Sequence, residues 1–495
     1  MRYAALRRSA LLPAIAVAGI VVFCAGGAAA ATVQPHATTY KVTDYGAKAD
    51  GKTNVAASFD KAIDAANKAG GGTVEVPSGS YLSSGTVHLK SNVTIQLDAG
   101  STITGASSGY DQAESNPYDK YQDYGHSHFH DAMFYGDGLT NIGFTGAGTI
   151  DGGGHLITGN PKLGQADKII SLTRCTNLTL SGITLKRGGH FGALINGCDH
   201  VVSDHLTIST ASDRDGWNII STTNVTITNI TDAANDDALV FKSDWALGKT
   251  LPSGHVTVTN AQLSAGCCNA LMFGSETCGD FTDYQFSHIT ITGAGKSGLG
   301  LVSMDGAHIS NVHYDDVTMS NTQSPIMQKI GTRKRCGGSP GIGSISDIHY
   351  SNITGTKAGK FSPTMWGQSG HAISDVTFDN VHLDLPGGSG AVGAGVPSDN
   401  GDYNPNSIGT RPAYGFYLHN VSGVTFTNSG FTFDKSDARP AIIANAATGL
   451  TLDNVTAQAG KASYDLGLQQ VNGYCLTGGT KLRVNNSGST EKCAS

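Results

Sequence analysis

The segments Val201-Val-Ser203 and Val225-Thr-Ile227 begin 24 residues apart, and similar steps recur on both sides of them. Leu178-Thr-Leu180 precedes them, and Val256-Thr-Val258, Tyr284-Gln-Phe286 and Val312-His-Tyr314 follow. Successive starts are separated by 23, 24, 31, 28 and 28 residues. The series continues at Ile348-His-Tyr350, Val376-Thr-Phe378, Val424-Thr-Phe426 and Leu450-Thr-Leu452, with longer gaps that read as loop insertions. Such a period fits a coil of three or four short strands, each coil stacked on the last at the parallel-strand spacing of about 4.8 Å. Val225, Ile227, Val256 and Val258 would then point inward as apolar ladders, while alternate Thr, Asn and Ser face out. An antiparallel sandwich shares the period-two pattern, but the Asn-Gly hairpin turns it favours are scarce here. The expected fold is all-β, a parallel β-helix or β-solenoid.

Working outward, Ser58 to Lys68 is alanine-rich with Phe59, Ile63 and Ala66 on one face, which predicts a short helix capping the open N-terminal end. Thr73-Val-Glu-Val76 and Val93-Thr-Ile-Gln-Leu97 start the coils, and the stretches 109–131, 322–345 and 385–414 read as insertions that wall a cleft. At the N-terminus, Arg2, Arg7 and Arg8 precede an apolar run from Ala10 to Cys24 and a small-residue stretch to Ala31, the pattern of a secretory signal peptide over 1–31. The remainder, 32–495, is expected to be one elongated catalytic domain, secreted to the extracellular space, monomeric and without a membrane span. Removing those three arginines takes the formal charge from −7 to −10, which argues against nucleic acid or an anionic membrane as partner. Eight cysteines remain, and export makes disulfides the default. Cys175 and Cys198 lie about one coil apart, and Cys475 with Cys493 would tie down the C-terminal tail; the other four stay open.

In this charge-poor chain, Asp213-Arg-Asp-Gly216 and Asn235-Asp-Asp-Ala238 place carboxylates about one repeat apart. If their strands stack, Asp215 lies beside Asp236 and Asp237. Hydrolysis of a glycoside with inversion needs an acid on the leaving oxygen and a carboxylate to activate water, roughly 6.5 to 9.5 Å apart. Crowded carboxylates also repel, which holds at least one of them protonated. The plainer reading is that these aspartates merely bond backbone amides at turns.

These segments, with Val42-Thr-Asp-Tyr-Gly-Ala-Lys-Ala-Asp-Gly51, Gly71-Gly-Thr-Val-Glu-Val-Pro77 and Gly146-Ala-Gly-Thr-Ile-Asp-Gly152, resemble the polygalacturonase family, glycoside hydrolase family 28, from about Tyr40 to about Val455. The resemblance implies a right-handed parallel β-helix that acts on a polysaccharide or oligosaccharide without a cofactor. It implies Asp236 as general acid, with Asp215 and Asp237 holding and activating water. Asp213 and Arg214 stand where that family has Asn and Thr. Asn269 falls where its histidine is expected, and Gly300 and Val302 fall where its Arg-Ile-Lys segment grips a uronate carboxylate. Without those cations, plain polygalacturonate is not the expected substrate, whereas rhamnogalacturonan and related glycans remain open.

Lys242, Asn269 and Glu276 are the candidate substrate-binding residues; a solvated lysine and a turn carboxylate are the plainer readings of the first and last. The basic run Lys329, Arg333, Lys334 and Arg335 could reach an acidic sugar, although such runs are usually solvated. His126, His128 and His130 would share a face on a strand, but Tyr124 to Asp131 reads as a polar-rimmed loop, and no metal site is expected. His190-Phe191 and Trp217 offer aromatic surface, with core packing favoured for Trp217. Two other classes stay open. One is a polysaccharide lyase on the same scaffold, which would need calcium and a basic side chain; the other is a non-catalytic carbohydrate-binding or adhesin solenoid.

Overall fold

The computed structural model describes residues 38–493. The expected signal peptide over 1–31 lies outside them. Strands dominate, helices are few, and every pairing between named strands is parallel, so the chain is all-β as expected. Leu178, Val201, Val225, Val256, Tyr284, Val312, Ile348, Val376, Val424 and Leu450 pair in one unbroken register from turn to turn of the chain. The residue just before each supplies the local reason. Asn177, His200, Asn224, His255, Asp283, Asn311, Asp347 and Asp375 all hold φ between +54° and +64°. Short polar side chains and glycine tolerate this left-handed conformation best, so these coils turn the corner at an Asn, Asp or His before the strand resumes, and the coils of Val424 and Leu450 at Gly423 and Gly449. The corner side chains also bond along the stack: Asn177 Nδ2 donates to Asn141 Oδ1 at 2.9 Å, and Asn141 Nδ2 to Asn92 Oδ1 at 2.8 Å.

Inside the coils one continuous apolar cluster runs from Val42 to Tyr474. Phe286, Tyr314, Tyr350, Phe378 and Phe426 stack in it ring on ring, with centroids 4.5 to 5.0 Å apart. At the N-terminal end the helix Ala56–Lys68, starting two residues earlier than expected, buries Phe59, Ile63 and Ala66 against the first coils. Disulfides join Cys175 to Cys198, Cys278 to Cys336 and Cys475 to Cys493, while Cys267 and Cys268 are free thiols. The insertion expected over 322–345 is shorter than its sequence suggested, because Thr322–Ile330 is a strand of the stack and the loop proper follows it. No helix among the described residues is long and apolar enough to cross a membrane.

Candidate active site

The site lies on the face built by Phe191–Asn196, Asp215–Ile220, Leu239–Ser243 and Leu271–Thr277, which pair in that order. A strict alternation would put Asp215 on the inner side with Trp217, which is fully buried in the core. The strand escapes this by turning two consecutive residues inward at its start. A Cβ on Gly216 would run into the carboxylate of the wholly buried Asp232, so only glycine fits there, and Trp217 follows it into the core. Asp215 is thereby released to the outer face. The next coil repeats the step with Asp237, then buried Ala238 and core Leu239, and Gly216 N donates to Asp237 O at 2.8 Å. Asp215 and Asp237 thus share one outward column.

Lys242 draws them together. Its Nζ lies 3.8 Å from Asp215 Oδ2, 4.0 Å from Asp237 Oδ2 and 3.5 Å from Glu276 Oε2, and it donates to His126 Nε2 at 3.1 Å. Asn218 Nδ2 donates to Asp215 Oδ2 at 3.0 Å. Asn269 holds Asp237 Oδ1 twice, through its backbone N at 3.0 Å and its Nδ2 at 2.7 Å. Glu276 accepts from Arg335 Nη2 at 2.5 Å. Lys242, Asn269 and Glu276, expected to contact sugar, are only 4, 1 and 2 % exposed, as buried as Asp215 at 3 %, and each is engaged with a charged member of the cluster. Asp236 is the accessible member of the three: its side chain is 19 % exposed, against 4 % for Asp215 and 6 % for Asp237. Arg214 Nη2 donates to its Oδ2 at 3.0 Å.

Burial sets the charge pattern. Desolvation pushes Asp215 up to about 8, against the pull of Lys242, with repulsion from Asp236 and Asp237 adding less. Asp237 is raised as well, by burial first, against the pull of Lys242, with Asp236 adding to the rise and Lys296 and the Asn269 hydrogen bond opposing it. Asp236 goes the other way: burial would raise it, but the Cys268 thiol and the Arg214 guanidinium outweigh that and lower it. Burial, more than the crowding expected to do so, favours a proton in the cluster, and it does so on Asp215 and not on Asp236. His126 falls to about 3 through burial and the Lys242 charge, which makes it a neutral acceptor for that lysine.

Other expectations change. The insertion at 109–131 carries a helical turn, Tyr124–Ser127, which separates the three histidines. His126 enters the site, His128 stacks on Tyr124 with centroids 3.9 Å apart, and His130 packs on Tyr135. His190 and Phe191 stack on each other and are buried, and Trp217 is core, so none of the three offers an open sugar platform. Lys334 of the basic run is exposed, as the plainer reading had it, and the other three are engaged. Lys329 is enclosed by Asp399 at 2.5 Å and the Asp402 carbonyl at 2.6 Å, Arg333 pairs with Asp305 at 2.5 Å, and Arg335 binds Glu276 and Asp123.

Two groups escaped the sequence reading. Lys296 Nζ donates to Tyr403 OH at 2.9 Å, and the pair sits beside Asp237. Lys296 immediately precedes Ser297, whose N–H bonds Asn269 Oδ1, so its place on the column was recoverable from the repeat. Tyr403 comes from an insertion and had no such signal. Gly300 aligns with Met272, and Val302 joins Val240, Met272 and Met304 in an apolar patch against Tyr403. The cations of the family are absent from these positions, as expected, and the side chains there are buried and apolar.

The chain belongs to the Glycosyl hydrolases family 28, whose family model matches residues 68–400, and it is a glycoside hydrolase. It is 25 % identical over 388 residues to an exopolygalacturonase of Platanus acerifolia, covering 72 % of this chain and 93 % of the relative. It is 27 % identical over 295 residues to endo-xylogalacturonan hydrolase A of Aspergillus tubingensis, covering 54 % of this chain and 69 % of that one. The family 28 exopolygalacturonase structure of Yersinia enterocolitica superposes with a TM-score of 0.60 at 18 % identity, over 86 % of this chain and 79 % of that one.

Proposed function

We propose that this protein is an exported, single-domain, right-handed parallel β-helix that hydrolyses a pectin-like polysaccharide with inversion at the anomeric carbon. The observation that carries the reading is the outward column of Asp215 and Asp237, clamped by Lys242, with Asp236 exposed beside it. Asp236 protonates the glycosidic oxygen as the bond to the anomeric carbon breaks. Asp215 and Asp237 hold a water on the far side of the sugar and take its proton as its oxygen bonds to that carbon. Lys242, Asn269 and Glu276 are positioning residues for this pair.

In the free site the proton favours Asp215 while Asp236 is ionised. The working state therefore differs by the location of one proton. Arg214, its side chain 36 % exposed, is the group a sugar at Asp236 would displace, and its departure removes one of the attractions that keep Asp236 charged.

The names of the matched relatives support a pectic substrate. Gly300 and Val302 supply no cation where the family has two, and Val302 is buried with Val240, Met272 and Met304, so a carboxylate next to the cut would find no charged partner from these positions, which favours a neutral or branched unit. Lys296, partly exposed and close enough for its charge to act on Asp237, can take a uronate elsewhere in the groove.

The test is to incubate the purified enzyme with rhamnogalacturonan, xylogalacturonan and unesterified polygalacturonate, and to follow the first-formed anomer by NMR. Release of an inverted product from one of the branched or mixed polymers, with slow action on polygalacturonate, is the expected result. A retained anomer would remove the inverting mechanism, and an unsaturated product absorbing in the ultraviolet would make the enzyme a lyase. Rapid release of galacturonic acid would show that Lys296 or another cation replaces the missing pair.

A further inference from the structure

Cys267 and Cys268 are the two thiols among the described residues that no disulfide consumes. They adjoin Asp236, and one ligand atom from each of the three residues lies within 4.8 Å of the others. Cys267 is exposed and Cys268 is buried, its thiol donating to the Asp236 carboxylate. The backbone of the pair is pinned on both sides: Cys267 N donates to Asn235 O at 2.6 Å, and Lys296 N donates to Cys268 O at 2.9 Å. Neither sulfur takes part in the hydrolysis proposed above.

We propose that Asp236, Cys267 and Cys268 form an inhibitory site for one thiophilic divalent cation of the zinc class. Two thiolates and a carboxylate are the donor types such an ion prefers, and three protein ligands leave a fourth position for water. Binding releases two thiol protons and forms two metal–sulfur bonds and one metal–oxygen bond, with no change of oxidation state. The bound set carries three negative charges against two positive, and Arg214 and Lys296 flank it. A second trio, Asp123, His126 and Glu276, also brings ligand atoms together. It is the poorer site for a thiophilic cation, because it offers no sulfur and its imidazole Nε2 and one Glu276 oxygen are already taken by Lys242 at 3.1 Å and Arg335 at 2.5 Å.

Occupancy would take Asp236 out of proton transfer; that consequence rests on its role in the proposed function, whereas binding itself does not. The experiment titrates the full-length protein with Cd2+, reading the cadmium–thiolate charge-transfer band, and with Zn2+ against a chromophoric chelator, while turnover is followed in parallel. One cation per chain, a thiolate band and turnover restored by EDTA are expected. Cys267→Ser should weaken binding by at least ~10-fold and lose inhibition measured against its own metal-free rate. Binding that shows no thiolate band, or that is unchanged in Cys267→Ser, overturns the site. Thiolate-banded binding with undiminished turnover upholds the site and strikes out the role of Asp236, so the two failures are distinguishable.

Discussion

A carboxylate taken out of water gains a proton unless a donor or cation intervenes, and Asp215 and Asp236 show the two outcomes within one cluster. Asp215, raised to about 8, binds a proton in the folded state that the unfolded chain gives up near the ordinary value of 3.8. The stability tied to that proton is fully present below the unfolded value and is lost as pH rises through the folded one. Asp215→Asn should therefore abolish turnover yet raise the unfolding temperature at pH 7 to 8. A gain of roughly 0.5–2 kcal/mol is expected, the range usual for relieving one such site, with little gain near pH 3. Thermal unfolding of both proteins across pH checks this. Asp236 is lowered, and Arg214 contributes to that. Because a general acid works protonated, Arg214→Gln should raise its pKa and move the alkaline limb of the kcat/KM profile to higher pH. A limb that stays or falls would show that Arg214 does not govern the acid.

At the scale of the strand, the catalytic face depends on two successive inward residues at the start of Asp215–Ile220. Gly216 leaves the space that Asp232 occupies, and a methyl group there has nowhere to go. Gly216→Ala should cost about 1–3 kcal/mol, typical of overpacking. It should also lower kcat more than it raises KM, since it moves Asp215 relative to Asp237; denaturant unfolding with steady-state kinetics checks both. The ladder itself was readable in the sequence, because its apolar step and the Asn, Asp or His before it follow local rules of backbone conformation. So was the adjacency of Asp215 to Asp236 and Asp237, which follows from the period alone. The roles of Lys242, Asn269 and Glu276 were not, because alternation tells which way a side chain points but not whether a neighbouring loop covers it. Tyr403, His126 and Arg335 arrive from insertions, and nothing local in their sequences fixes where those insertions fold back.

At the scale of the molecule, each coil touches chiefly its neighbours, so stability is set coil by coil and the ends need closing. The helix Ala56–Lys68 closes one of them with Phe59, which lies edge-on to Tyr81 and Phe134 with centroids 6.5 and 6.4 Å away. Phe59→Ala should cost about 3–5 kcal/mol. Hydrogen exchange should show the first coils losing protection while the coils around Phe378 and Phe426 keep theirs; uniform loss would mean that the stack unfolds as one unit. The site lies well inside this stack, on coils held from both sides, which gives three acidic side chains a rigid bed. The central claim is that these carboxylates perform the hydrolysis, with Asp236 as the acid. The most direct measurement is the turnover of Asp236→Asn on whichever pectic polymer the wild type cleaves, with folding verified by circular dichroism. The account predicts a fall of at least ~100-fold with the fold intact, and near-normal turnover in a folded variant would contradict it.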